Sequence, residues 1–311
     1  MAGPGDANAR HTGTSELLHD ELGIAQFADP DYLRWLYDEN PAGQAIEGHR
    51  DMDGRRAAHF AVLPQLWRCD DRREKFVFSL NAITREAARG QGWFVDLGRE
   101  IFERAAATGH VGIITVCNAN STPALTGQLD QRFRGALPVQ LCVASPFAGR
   151  GWSHVPAAPD YLAGDEFAML AAELDGHVAS GWTQCWTRDT LRWRLARPHA
   201  AYTVHISRDA VAVSTTDTVA GLPVAILLKI LPRRGRTGGS GADVVAAVCR
   251  HHRTPVCVYA GFNAHIRVRG LPIPVRLRPS PLNQLFGSLD PSVPESGFGL
   301  DTFEFLDSDD Y

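Results

Sequence analysis

Residues 76–108 read FVFSLNAITREAARGQGWFVDLGREIFERAAAT, and they set the fold. The run from Phe76 to Ile83 is apolar and has the length of a buried strand. From Trp93 to Thr108 the residues Phe94, Leu97, Ile101 and Ala105 recur on one helical face, and Gly109 stops the helix. Between strand and helix lies a polar loop with two glycines, Gly90 and Gly92. A helix N-terminus offers unpaired N–H groups and a partial positive charge. Glycines ahead of it let an anion, usually phosphate, approach the backbone. The plainer alternative is an ordinary strand–helix turn. A Walker loop is excluded, because Gly-Lys-Ser/Thr is absent. A dinucleotide fingerprint is excluded as well: the third glycine is missing, and the place of its acidic residue falls in VGIITV.

Upstream, DPDYLRWLYDEN (29–40) predicts a helix capped by Asp31, with Tyr32, Trp35 and Leu36 on one face, stopped by Pro41 and Gly43. QAIEGHR (44–50) and RRAAHFAVLPQLWR (55–68) flank Asp53-Gly54, a strong antiparallel hairpin signal. Downstream, HVGIITVCN (110–118) predicts a strand buried on both faces. STPALTGQL (121–129) predicts a short helix capped by Ser121, and ALPVQLCVA (136–144) a strand that closes the unit. The Pro- and Gly-rich stretch around residues 146–164 has no clear period and predicts a linker. A similar grammar then returns. WTRDTLRWRLARP (186–198) predicts a helix, and AYTVHISR, AVAVSTTD and VAILLKILP predict strands. The turn RRGRTGGSGA (233–242) leads to the helix DVVAAVCRHH and the strand VCVYAGF, and DTFEFLDSDDY to a last strand with an acidic end. Helix, meander, glycine turn, helix and strand thus occur twice, which points to an internal duplication.

The 311 residues carry 31 basic and 35 acidic side chains, a net charge of −4, so no general attraction to nucleic acid or an anionic membrane is expected. Hydrophobic content of 44% suits a globular protein of two domains or one large one. No apolar run reaches the ~20 residues that span a bilayer. Residues 1–20 lack the apolar core of a signal peptide and predict a disordered tail. Six scattered cysteines, with no C-x-x-C pair, predict reduced thiols in a cytoplasmic protein and no metal site.

Arg89-Gly90-Gln91-Gly92-Trp93-Phe94 resembles the pyrophosphate loop of the GNAT (GCN5-related N-acetyltransferase) superfamily, Gln/Arg-x-x-Gly-x-Gly/Ala. Arg89 and Gly92 match, and Phe94 stands where a small residue is usual. CNANSTPAL (117–125) is similar to the second acyl-CoA segment, where an Asn precedes a short helix. The order of elements fits from Asp31 to Val143, and the second half looks like a degenerate copy. The resemblance implies a mixed α/β fold (α+β in its mixed sheets) of two GNAT-like units packed together: residues 21–145 binding acyl-CoA, and residues 165–311 the worn unit. It implies acetyl-CoA as cosubstrate. Backbone N–H groups of Gln91 to Phe94 would hold the pyrophosphate. The backbone of Ala82, Ile83 and Thr84 would pair with the pantetheine arm as an added strand. Asn118 or Asn120, with Ser121, would meet the arm from the other side; a turn and helix cap is the plainer role for Asn118.

Members usually transfer the acyl group by direct attack of a neutral amine on the thioester, with a base taking the proton. Many supply a Tyr, from the helix after the second segment, to the departing thiolate. Here that helix has none. His59 is a candidate base, against the plainer reading of a hydrogen-bonded, half-buried His. Ser79 and Asn81 alternate on the strand and are expected to face one way, orienting the thioester or satisfying a bulge. Glu47 is a further candidate, with a surface position as its plainer reading. Asp309 and Asp310 are candidates to bind a cationic amine if the chain end folds into the cleft. Trp182, Trp186 and Trp193 read mainly as core, with one or two available to line the cleft. The expected acceptor is a small amine, such as an amino sugar or amino acid derivative, because a second unit facing the cleft makes a pocket. The alternatives are an aminoacyl-tRNA-dependent peptidyltransferase relative and a non-catalytic acyl-CoA sensor or scaffold.

Overall fold

A computed structural model describes residues 4–174, 180–219, 221–236 and 239–308. Two helices come first, α1 (Pro4–Leu22) and α2 (Pro30–Tyr37). Strands β1 (Ile46–Met52), β2 (Arg55–Cys69) and β3 (Arg72–Thr84) lead to α3 (Trp93–Ala107), β4 (Gly112–Cys117), α4 (Thr122–Gln128) and β5 (Arg132–Ala136). Then follow β6 (Val139–Val143), β7 (Ser153–Pro156), α5 (Pro159–Ala163), α6 (Asp165–Ala172), β8 (Thr183–Gln184) and α7 (Arg188–Leu195). The remainder is β9 (Thr203–Ile206), β10 (Ala210–Val219), β11 (Leu222–Pro232), α8 (Gly241–His252), β12 (Val256–Asn263), β13 (Leu271–Pro272), β14 (Asn283–Ser288) and β15 (Thr302–Glu304).

The fold is mixed α/β, and the repeat is visible in it. An antiparallel meander β1-β2-β3 passes through α3 to β4, which is parallel to β3. The meander β9-β10-β11 passes through α8 to β12, which is parallel to β11. Asp53 and Gly54 both take positive φ, 53° and 75°, as the first hairpin requires. One face of each sheet is covered by its crossover helix, α3 or α8. The main core, including Trp67, Phe76, Phe78, Leu228 and Phe303, joins the two units.

Four expectations are corrected. The strand at Val139–Val143 does not close the first unit: it pairs with β12 in the second sheet. Its place is taken by β14, which lies between β4 and β5. Pro138 stands between β5 and β6 and ends the ladder, so the chain can leave one sheet for the other. The units therefore exchange strands, and a boundary near residue 145 divides the sequence but not the sheets. Residues 146–164 are no bare linker, since β7 forms the edge of the second sheet and α5 follows. Residues 4–20, expected as tail, lie in α1. Leu17 and Leu18 are buried there, and Thr14 and His11 make polar contacts to Arg56 and Asp38. These largely polar contacts leave little apolar period to read. Asp29, rather than Asp31, caps α2, accepting from the Asp31 N–H at 2.9 Å.

The second unit carries a histidine cluster. His154 Nδ1 lies 2.7 Å from His205 Nδ1, and Ser214 Oγ stands 2.6 Å from His205 Nε2 and 2.7 Å from His252 Nε2. The His251 ring packs on His154, His205 and His252, and Arg250 adds like charge near His154. Burial, then the neighbouring imidazoles, lowers His205 to about 2 and His252 to about 4. Both values lie below the ordinary histidine pKa of ~6.5, so the unfolded chain takes up these protons first. Their stability is fully present above pH ~6.5 and is lost as pH falls below it. At pH 5 the loss from His205 alone is about 2 kcal/mol. Thermal unfolding is expected at lower temperature at pH 5 than at pH 7, with a smaller drop in His252→Gln. An equal drop in both proteins would show that the cluster does not set the acid sensitivity.

Candidate functional site

Strands β3 and β4 are paired only from Phe76↔Gly112 to Ser79↔Thr115. Beyond that point they splay, and among the described residues no strand lies beside the β4-facing edge of β3 from Leu80 onward. The opening is a cleft of about 270 Å³ lined by residues of β3, β4, α3 and α4 and by Leu22, Ser280 and Leu282. Its lining draws on both faces of the sheet. Phe94 and Leu125 come from the cluster under α3, and Leu80 and Leu282 from the central core. A ligand can therefore enter on the α3 side and present its end on the other.

At the mouth stands the glycine loop. Gly90 and Gly92 have φ of 84° and 79°, and Gly92 caps α3 without any side-chain hydrogen bond. A Cβ on Gly90 would meet nothing within 4 Å, and one on Gly92 only Asp96 Oδ2 at 3.8 Å. Among the described residues, the N–H groups of Gly90, Gln91, Gly92, Trp93 and Phe94 meet no protein acceptor. Open space, free donors and a helix dipole make an anion seat. Phe94 does not block it: its ring leans on Phe60, with centroids 5.4 Å apart. Arg89 is exposed and lies 3.7 Å from Glu21, while Arg85 lies 3.0 Å from Asp20, so the end of α1 sits beside the loop.

Across the cleft, Asn118 Oδ1 accepts from the N–H groups of Asn120 and Ser121, each at 3.0 Å. This is the turn-and-cap role. Ser121 sits at the N-cap of α4, but its side chain makes no cap bond. Asn118 and Ser121 line the cleft, whereas Asn120 is exposed and does not.

Asn81 departs from strand geometry. Its φ is 49°, and the β2–β3 register slips between His59 and Ala61, which marks a bulge. The expected alternation of Ser79 and Asn81 is thereby broken, although both line the cleft. Asn81 Nδ2 donates to Tyr37 Oη at 2.8 Å. His59 is buried, at 1% exposure, not half-buried. Its Nδ1 donates to the Asn81 carbonyl at 3.0 Å, and its Nε2 lies 3.3 Å from Glu47 Oε2. Both ring nitrogens are engaged, so the imidazole braces the bulge rather than facing an acceptor. Glu47 is not a surface residue. Burial alone would raise its pKa, but the His59 hydrogen bond and the charges of His59, His11 and Arg10 hold it at about 2.

The corresponding cleft of the second unit is filled by the chain itself. Past Leu227↔Tyr259 the strands β11 and β12 separate, and β15 pairs with β12 from Asn263 to Gly261. Glu304 Oε2 accepts from the Ile230 N–H at 3.3 Å, bridging to β11. Lys229 Nζ, also buried, lies 2.7 Å from Asp307 and 3.1 Å from Glu304. Burial lowers this amine and the two carboxylates raise it, with the net direction upward. A residual space of about 30 Å³ remains beside Lys229. In the second glycine turn, Thr237 and Gly238 lie outside the described residues, and Gly241 is closed in: a Cβ there would lie 2.2 Å from the Arg267 carbonyl oxygen. Asp309 and Asp310 lie outside the described residues; Ser308 lies beside Leu36, Leu63 and Phe78. Trp182 and Trp186 are buried, and Trp193 stacks on Trp35 with centroids 5.0 Å apart. None of the three lines the β3–β4 cleft.

Among the described residues no three His, Cys, Asp or Glu side chains are grouped to hold a metal ion. No described helix is long and apolar enough to cross a membrane. No family model matches the sequence, and no curated protein matches it. Solved structures do. A GCN5-related N-acetyltransferase from Anabaena variabilis aligns over 93% of this chain and 72% of its own, with TM-score 0.59 and 10% identity. A GCN5-related N-acetyltransferase from Kribbella flavida aligns over 91% and 70%, with TM-score 0.59 and 16% identity. A tandem GNAT protein from the clavulanic acid biosynthesis pathway aligns over 94% and 98%, with TM-score 0.50 and 12% identity. At these identities the likeness establishes the fold: two GNAT-like units in one chain.

Proposed function

We propose that this protein is an acyl-CoA-dependent N-acyltransferase, transferring an acetyl group to a small amine. One observation carries the reading. The only cleft built on splayed parallel strands that is open among the described residues leads from a glycine loop with free N–H groups to the end of the β3–β4 pairing. An acyl-CoA fits it by chemistry: pyrophosphate at Gly90–Phe94, amides along the unpaired β3 edge at Ala82–Thr84, and the thioester near the Asn81 bulge. Asn118 and Ser121 border the arm on the β4 side.

In the reaction the amine forms the C–N bond as the C–S bond breaks, and the proton lost by nitrogen ends on sulfur. The His59 bond to the Asn81 carbonyl fixes the bulge that borders the thioester. The acceptor arrives from the face opposite α3, past Leu22, Leu80 and Leu282. These apolar walls favour the neutral amine, which is the nucleophilic form. The acidic side chains of Asp309 and Asp310 would draw a cationic amine. The absence of tyrosine from α4 and the engagement of both His59 nitrogens favour a second reading, a non-catalytic acyl-CoA sensor.

The test is release of free thiol from acetyl-CoA across a library of amino sugars, amino acids, polyamines and peptides. Turnover with small amines is the expected result. Activity confined to protein N-termini or lysine peptides would reject the small-amine acceptor. Tight acetyl-CoA binding with no turnover would leave the sensor.

A further inference from the structure

Among the described residues, a buried hydroxyl in the cleft has no partner. Thr115 is 3% exposed and lines the β3–β4 cleft, yet its Oγ1 is buried without a hydrogen bond. A buried hydroxyl left unpaired costs stability, and a ligand that supplies its partner recovers that cost. Its place is specific. Thr115 is opposite Ser79 at the last paired position, the apex where β3 and β4 part. Along β4 it stands two residues from both Ile113 and Cys117, which pack under α3, so it shares their face on the α3 side of the sheet. Helix α4 packs on that same side through Leu125. From Thr84, next to the glycine loop, to Ser79 is five residues, about 17 Å of extended chain. An arm with two amide bonds, anchored by its phosphates at the loop and extended along β3, brings its terminal sulfur to this apex.

Resting on the acyl-CoA reading, we propose that Thr115 Oγ1 donates a hydrogen bond to the sulfur of coenzyme A and stabilises the departing thiolate. It fills the role left vacant by the missing tyrosine of α4. As the C–S bond breaks, sulfur keeps the electron pair. The Thr115 hydroxyl supports that charge without giving up its proton, and sulfur then takes the proton released by the amine. A hydrogen bond to a charged acceptor is stronger than one to a neutral group, so the contact strengthens as sulfur becomes anionic.

The test requires no knowledge of the acceptor. Coenzyme A and desulfo-coenzyme A are titrated by calorimetry into wild type, Thr115→Val and Thr115→Ser at pH 7 and pH 9. Wild type is expected to prefer coenzyme A about tenfold or more at pH 9, where more of the thiol is ionised, and less at pH 7. Thr115→Val is expected to lose that preference while binding desulfo-coenzyme A as well as wild type does. Thr115→Ser is expected to restore it. The valine variant is also expected to melt no lower than wild type, because it removes an unpaired hydroxyl at nearly constant volume. A preference for sulfur undiminished in Thr115→Val would overturn the proposal and leave the acyl-CoA reading standing. Failure of both molecules to bind wild type would overturn the acyl-CoA reading itself, and this proposal with it.

Discussion

Gly92→Glu is expected to abolish acetyl-CoA binding while leaving the protein folded. Gly92 is exposed, caps α3 and has φ of 79°. A non-glycine residue there costs about 1–2 kcal/mol, which a domain of ordinary stability tolerates. The carboxylate would occupy the open space above the loop, beside Asp96. Against a phosphate at ~4 Å, like charge costs on the order of 4 kcal/mol at an effective dielectric near 20, about a thousandfold in affinity. Gly92→Ala carries the same backbone strain without the charge and is expected to lose much less. Equal affinity in wild type and Gly92→Glu, measured by calorimetry, would show that the loop is an ordinary turn.

The second large effect is on stability. Lys229→Met is expected to destabilise the protein by about 3–5 kcal/mol, because it strands the buried carboxylates of Glu304 and Asp307. Both are fully buried, and burial already raises Glu304. Tyr259 donates to Glu304 at 2.9 Å and Trp186 to Asp307 at 3.1 Å, so neutral donors remain, but the cation is lost. Denaturant unfolding measures the change. Adding Glu304→Gln to Lys229→Met is expected to recover part of it. A Lys229→Met protein within ~0.5 kcal/mol of wild type would mean that the network does not hold the chain end in the second cleft.

Signals that act locally were legible in the sequence. Asp53-Gly54 demanded positive φ at two successive residues and gave the hairpin. The run from Phe76 to Thr108 gave strand, loop and helix in order. The exchange of β6 and β14 was hidden, because an apolar strand pattern says that a strand forms and not which sheet receives it. Helix α1 offers little period to read, because among its described side chains Leu17 and Leu18 are almost the whole apolar contribution to the core. Ser79 and Asn81 were placed on the right strand, but strict alternation assumes no bulge, and the left-handed Asn81 breaks it. The burial of His59 depends on Glu47 and Tyr37, which local pattern does not connect to it. Thr115 is inconspicuous inside the run VGIITV, where its signal is a single hydroxyl in an otherwise apolar stretch.

On the proposed function, the first cleft accepts acyl-CoA and the second is closed by β15. Titration of acetyl-CoA into the intact protein, followed by calorimetry, measures both together. The predicted result is one acetyl-CoA bound per chain, lost in Gly92→Glu. No binding to folded protein, or two molecules bound per chain, would contradict it.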